Sequence, residues 1–139
     1  MKLIFILFLF IQINCQGKLI DKIPTCIISD MGRFKYIQIR VKEKNVPSNT
    51  KIIIRGTKGP EHHFNIFMQF LNDIQQKPEI YNNFEFEPIG GGFINIDKTS
   101  INIFGYSSGY GKAVHGISAS ILSSFYPNHK ITYDERLIE

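Results

Sequence analysis

The 139-residue sequence has no tryptophan, only two cysteines and no Asn-x-Ser/Thr triplet. Two cysteines exclude a disulfide-dense scaffold and a cysteine-rich metal site. The missing triplet excludes N-linked glycosylation at its usual acceptor. Excess charge is small as well: 16 Lys and Arg against 12 Asp and Glu give a formal +4 and a pI near 9.1. That balance favours anionic partners but is too mild to point to nucleic acid. What is present is 43% hydrophobic residues, including 12 Phe, with 20% charged residues. Such a chain is neither disordered nor fibrous, and its length allows one domain with a core while excluding a large two-domain enzyme.

A hydrophobic run long enough to span a bilayer is also missing. Met1 and Lys2 precede nine apolar residues, Leu3 to Ile11, and the triplet Cys15-Gln16-Gly17 follows shortly after. Spanning needs about 20 apolar residues. A cationic start, a short apolar stretch and a small-x-small triplet predict a secretory signal peptide over residues 1–17, cleaved after Gly17. The domain is then 18–139, with a charge of +3, one cysteine (Cys26) and no membrane anchor after processing. This body resembles a cytosolic domain more than a secreted one, so a cytosolic protein that keeps its first residues is the alternative.

Along the body, Arg33 to Val41 alternates as a strand, with Lys35, Ile37, Ile39 and Val41 on one face and Phe34, Tyr36, Gln38 and Arg40 on the other. Lys51 to Arg55 reads as a second strand. Gly59-Pro60 is expected to open a helix with Glu61 at its positive end, an apolar stripe at Phe64, Phe67, Leu71 and Ile74, and a stop at Pro78. Strands are expected at Phe84 to Glu87, Phe93 to Ile96, Ser100 to Tyr106 and His129 to Tyr133. The triple glycine Gly90-Gly91-Gly92 falls between the first two. A second helix, about Lys112 to Phe125, carries Val114, Ile117, Ile121 and Phe125 on one stripe. The order predicts an α+β fold, an α/β sandwich with one mixed sheet of about six strands flanked by two helices.

Four segments could carry chemistry. In Glu61-His62-His63, a histidine in the first helical turn meets the positive end of the macrodipole, which keeps a neutral ring available as a base; adjacent surface histidines fit the same pattern. Lys35 shares a face with core residues, so it either snorkels or directs a cation at an anionic ligand, with Arg55 in support. Phe104 to Lys112 is a glycine-rich turn between strand and helix, suited to binding phosphate through backbone N–H groups. It fails the P-loop pattern at Tyr106 and Ala113. Gly105-Tyr106-Ser107-Ser108-Gly109 fits a nucleophile elbow locally, but the required acid and then histidine do not follow it. Gly90-Gly91-Gly92 allows either a close backbone approach to a ligand or a flexible bend.

Together these segments resemble the phosphohistidine phosphatase, or janus, family. The resemblance rests on Gly32-Arg33-Phe34-Lys35-Tyr36 with Ile39-Arg40-Val41, Ile54-Arg55-Gly56, Glu61-His62-His63, Gly90-Gly91-Gly92, Gly105-Tyr106-Ser107, Tyr110-Gly111 and His115, in order over residues 19–134. It implies a monomeric, cofactor- and metal-independent hydrolase acting on phosphohistidine in proteins. His63 would be the catalytic base or nucleophile, and Lys35, Ser107 and Gly109 would bind phosphate, supported by Arg55, Gly90 and Gly92. His115 matches a second family histidine. One departure stands out: Phe93 occupies the place of an arginine that assists phosphate binding. A charge-assisted contact is worth about 1.5 to 3 kcal/mol. Its absence gives the alternative of a secreted, non-catalytic module that binds a phospho-ligand or protein.

Overall fold

A computed structural model describes residues 18–137, so the expected leader, residues 1–17, lies outside the described residues. After a 3-10 turn at Leu19–Lys22 come β1 (Cys26–Ile28), β2 (Gly32–Glu43), β3 (Thr50–Thr57), α1 (His63–Gln75), α2 (Pro78–Tyr81), β4 (Phe84–Ile96), β5 (Ser100–Phe104), α3 (His115–Phe125) and β6 (Lys130–Tyr133). The six strands form one sheet in the order β1-β3-β2-β4-β5-β6. The outer pairs β1–β3 and β5–β6 are parallel and the inner pairs antiparallel. This is the mixed six-stranded α+β sheet that the sequence predicts.

The alternation of β2 serves two cores rather than one core and solvent. Ile37, Ile39 and Val41 pack with Ile53 under Ile66, Phe70 and Ile74 of α1. Phe34 and Tyr36 pack on the opposite face with Ile54, Ile94, Ile103 and Leu122 of α3. Each such side chain taken from water contributes about 1.5 to 3 kcal/mol, so both layers hold the sheet.

Several expected boundaries differ. The two strands expected around the triple glycine are one continuous β4, in which Gly90, Gly91 and Gly92 pair with Gln38, Ile37 and Tyr36. The register steps between Gln38 and Ile39, leaving Ile89 as the extra residue of a bulge. The count of six survives because β1, which the sequence did not announce, replaces the strand lost by this merger. Helix α1 starts at His63, with Gly59 at φ 103 and Pro60 and Glu61 in the approach. Pro78, expected only as a stop, opens the short α2. Helix α3 begins at His115, three residues later than expected.

Both helices are also rotated from the expected stripes. Helix α1 buries His63, Ile66, Phe70 and Ile74 and exposes Phe64. Helix α3 buries His115, Ser118 and Leu122 and exposes Val114 and Phe125. Polar residues occupy the inward line of each helix, which an apolar count does not reveal.

Candidate active site

His63 is the first residue of α1, and its helix start fixes where the ring goes. Its Nε2 lies 2.8 Å from the carbonyl oxygen of Gly92. A carbonyl only accepts, so Nε2 carries the hydrogen and, in the neutral ring, Nδ1 keeps its lone pair. Nδ1 has no partner among the described residues, and no unpartnered buried polar atom is found there, so Nδ1 reaches solvent. Burial is the main force lowering the pKa of His63, with Lys35 adding to it and the Gly92 carbonyl opposing. The rings of His63 and Phe93 meet edge to face, with centroids 5.6 Å apart at 79°.

The triple glycine makes this placement possible. A Cβ on Gly91 would stand 2.9 Å from His63 Cδ2 and 3.0 Å from Ser107 Cβ. Both the histidine and the loop therefore rest directly on bare backbone. The loop is tied to the same strand: Gly91 N–H donates to Gly111 O at 3.0 Å, and Ala113 N–H donates to Gly91 O at 3.0 Å.

Within the loop, Ser107 and Gly111 exchange two backbone hydrogen bonds of 3.1 and 2.8 Å, and Tyr110 N–H donates to Ser107 Oγ at 3.1 Å. Gly111, at φ 83, supplies the left-handed turn that closes it. The N–H groups of Ser108 and Gly109 make no hydrogen bond among the described residues. His63, Lys35, Phe93 and residues Tyr106 to Tyr110 together line a cleft of about 370 Å³, with Glu61, His62 and Phe64 at its rim. A lysine and free backbone donors around one cavity suit a tetrahedral oxyanion, and the neutral imidazole nitrogen beside them suits a base.

The structure thus gathers His63, Lys35, Ser107 and Gly109 in one cleft. It does not bring Arg55 there. Arg55 is 8% exposed, its Nη1 donates to Ile54 O at 2.9 Å, and its guanidinium lies 5.4 Å from the Phe70 ring in a separate groove beneath α1. Burial lowers its pKa to about 10. Gly90 lies outside the cleft lining, packed where a Cβ would come 2.7 Å from the backbone of Ala113. Gly92 contributes the carbonyl that orients His63.

His115 lies on the other face of the sheet, fully buried. Its Nε2 donates to Gly105 O at 2.8 Å, so its Nδ1 accepts the Tyr36 hydroxyl hydrogen at 2.6 Å. Tyr36 in turn accepts from Ser118 Oγ at 2.9 Å, and Ser118 accepts from Gln38 Nε2 at 2.7 Å. Gln38 also grips both backbone groups of Val114 where α3 begins. Every polar atom of the chain is satisfied, and its end holds Gly105, the first residue of the cleft loop. Burial chiefly lowers the His115 pKa, keeping the ring neutral. Sequence reasoning missed this chain; its visible trace was Tyr36 and Gln38 sharing one strand face. Tyr106, Ser108 and Tyr110 were missed as lining residues although they lie inside a quoted motif. Among the described residues no three His, Cys, Asp or Glu side chains gather as a metal site would require.

Residues 20–130 match the Janus/Ocnus family (Ocnus). The chain is 34% identical over 118 residues to the 14 kDa phosphohistidine phosphatase of Sus scrofa, covering 81% of this chain and 90% of that protein. Against the protein of the same name from Homo sapiens it is 33% identical over 117 residues, covering 80% and 90%. The sex-regulated protein janus-A of Drosophila pseudoobscura pseudoobscura is 37% identical over 120 residues, covering 82% and 77%. With a family match across most of the domain and relatives at this identity over most of both lengths, the chain belongs to the Janus/Ocnus family.

Proposed function

We propose that this protein hydrolyses the P–N bond of phosphohistidine in proteins. The observation that carries the reading is the locked tautomer of His63: the Gly92 carbonyl takes Nε2–H and leaves Nδ1 basic at the wall of a cleft that also holds Lys35. Relatives named phosphohistidine phosphatase support the substrate class.

In this reading Nδ1 takes a proton from a water in line with the P–N bond. The water oxygen bonds to phosphorus, the P–N bond breaks, the leaving imidazole nitrogen takes a proton from solvent on the far side, and Nδ1 returns its proton to solvent, giving inorganic phosphate and histidine. Lys35 and the N–H groups of Ser108 and Gly109 stabilise the charge on the phosphoryl oxygens. Direct attack by Nδ1, with a phospho-His63 intermediate, uses the same geometry.

The test is His63→Ala with a phosphohistidine peptide. General base catalysis contributes about 10²- to 10⁴-fold, so a loss of that order is expected in kcat/KM. Turnover equal to the parent would remove the role assigned to His63. A second reading, a phospho-ligand binding module without turnover, is favoured by the apolar Phe93 ring standing against His63. It predicts tight product-like binding, no hydrolysis by the parent, and activity gained in Phe93→Arg.

A further inference from the structure

Beside the His63 cleft lies a second groove of about 240 Å³, between the start of β2 and the turn that follows β3. The two share Lys35 and Phe93 as a common wall. Three cations border the groove: Arg33, Lys35 and Lys58. Among the described residues none of them forms an ion pair, whereas Arg40, Lys42, Lys112 and Arg136 are each matched with a carboxylate. No acidic side chain lines it; Glu61, which lines the adjoining cleft, lies beside His62.

The cations are placed rather than scattered. The Arg33 guanidinium carbon sits 4.8 Å from the Phe93 centroid and 5.1 Å from that of Phe104, over two rings stacked 5.7 Å apart. Lys35 Nζ approaches the same Phe93 ring at 5.8 Å. Lys58 reaches across Gly32, where a Cβ would meet its Cε and Nζ at 3.2 Å. Attraction to aromatic faces offsets part of the repulsion between neighbouring cations but leaves their positive potential open to solvent. Phe93, which lines both cavities, thus serves as the platform for cations of the groove.

We propose that this groove is a specificity subsite that receives an acidic stretch of substrate polypeptide flanking the residue whose phosphate enters the His63 cleft. The proposal rests on the phosphatase reading. Because the groove and the cleft adjoin at Lys35 and Phe93, a chain leaving the phosphohistidine in extended form, at about 3.3 Å per residue, reaches the groove within the first few positions. Carboxylates spaced along such a chain meet the three cations.

The experiment compares kcat/KM of the full chain on two phosphohistidine peptides, one flanked by Asp and Glu and one by Asn and Gln at the same positions. The acidic peptide is expected to be favoured about tenfold at low salt, and the preference to shrink as salt screens it. Arg33→Gln and Lys58→Gln should each cut that ratio about threefold, and the double variant should bring it near one. Equal kcat/KM on the two peptides, or a preference that the double variant leaves intact, overturns the subsite. Absence of turnover on both removes the phosphatase reading instead. The subsite is then decided by fluorescence anisotropy with the same peptides carrying a non-hydrolysable phosphohistidine analogue. Tighter binding of the acidic one, lost in the double variant, sustains it, and equal affinities overturn it.

Discussion

Nδ1 of His63 works as a base only while it is unprotonated, and three neighbours decide when that is. Burial resists the imidazolium most strongly, Lys35 repels it, and the Gly92 carbonyl favours it by accepting from Nε2. The balance holds the pKa below the ordinary histidine value of about 6.5. A depressed pKa means the active form persists above it, so kcat/KM should fall only as pH drops through a midpoint under 6.5. Replacing Lys35 by Gln removes a lowering influence, so the midpoint should move up while kcat/KM falls about tenfold or more. A pH profile of both proteins checks this, and a midpoint that stays fixed would show that Lys35 does not act on His63.

Strand β4 carries the site because three consecutive residues lack side chains, yet they are not equivalent to other glycines. At Gly92 a Cβ would meet His115 Cε1 and Phe104 O at 2.6 Å, whereas at Gly109 it would meet nothing within 4 Å. Gly92→Ala should therefore cost about 1 to 3 kcal/mol by overpacking, read as a lower denaturant midpoint, and Gly109→Ala should leave it close to the parent. Equal midpoints would contradict the packing described. These glycines also mark where the sequence was hard to read. Three in a row look like a break, and only pairing with β2 shows them to be mid-strand. The helices were legible as helices, but their inward lines hold His63, His115 and Ser118, polar groups satisfied by partners up to 82 positions away. Such long-range bonds leave no period in the chain, whereas the alternation of Arg33 to Val41 does, and it marks β2.

Taken as one body, residues 18–137 hold two cores on one sheet with the cleft where α1 and the glycine loop meet β4. The leader expected over residues 1–17 lies outside the described residues, and we propose that it directs export. N-terminal sequencing of the protein from its source should then give a chain starting at Lys18. An intact Met1 on cytosolic protein would reject export. The hydrogen-bonded chain from Gln38 through Ser118, Tyr36 and His115 to Gly105 has one further implication. Because a carbonyl terminates it, every hydrogen in it points the same way, and protonating His115 would turn the sequence of donors around and strand the Ser118 hydroxyl hydrogen without an acceptor. Positions 36, 38, 115 and 118 are therefore physically coupled: the fold tolerates changing them together with a compatible polarity, or replacing the whole set by apolar residues, better than changing one alone.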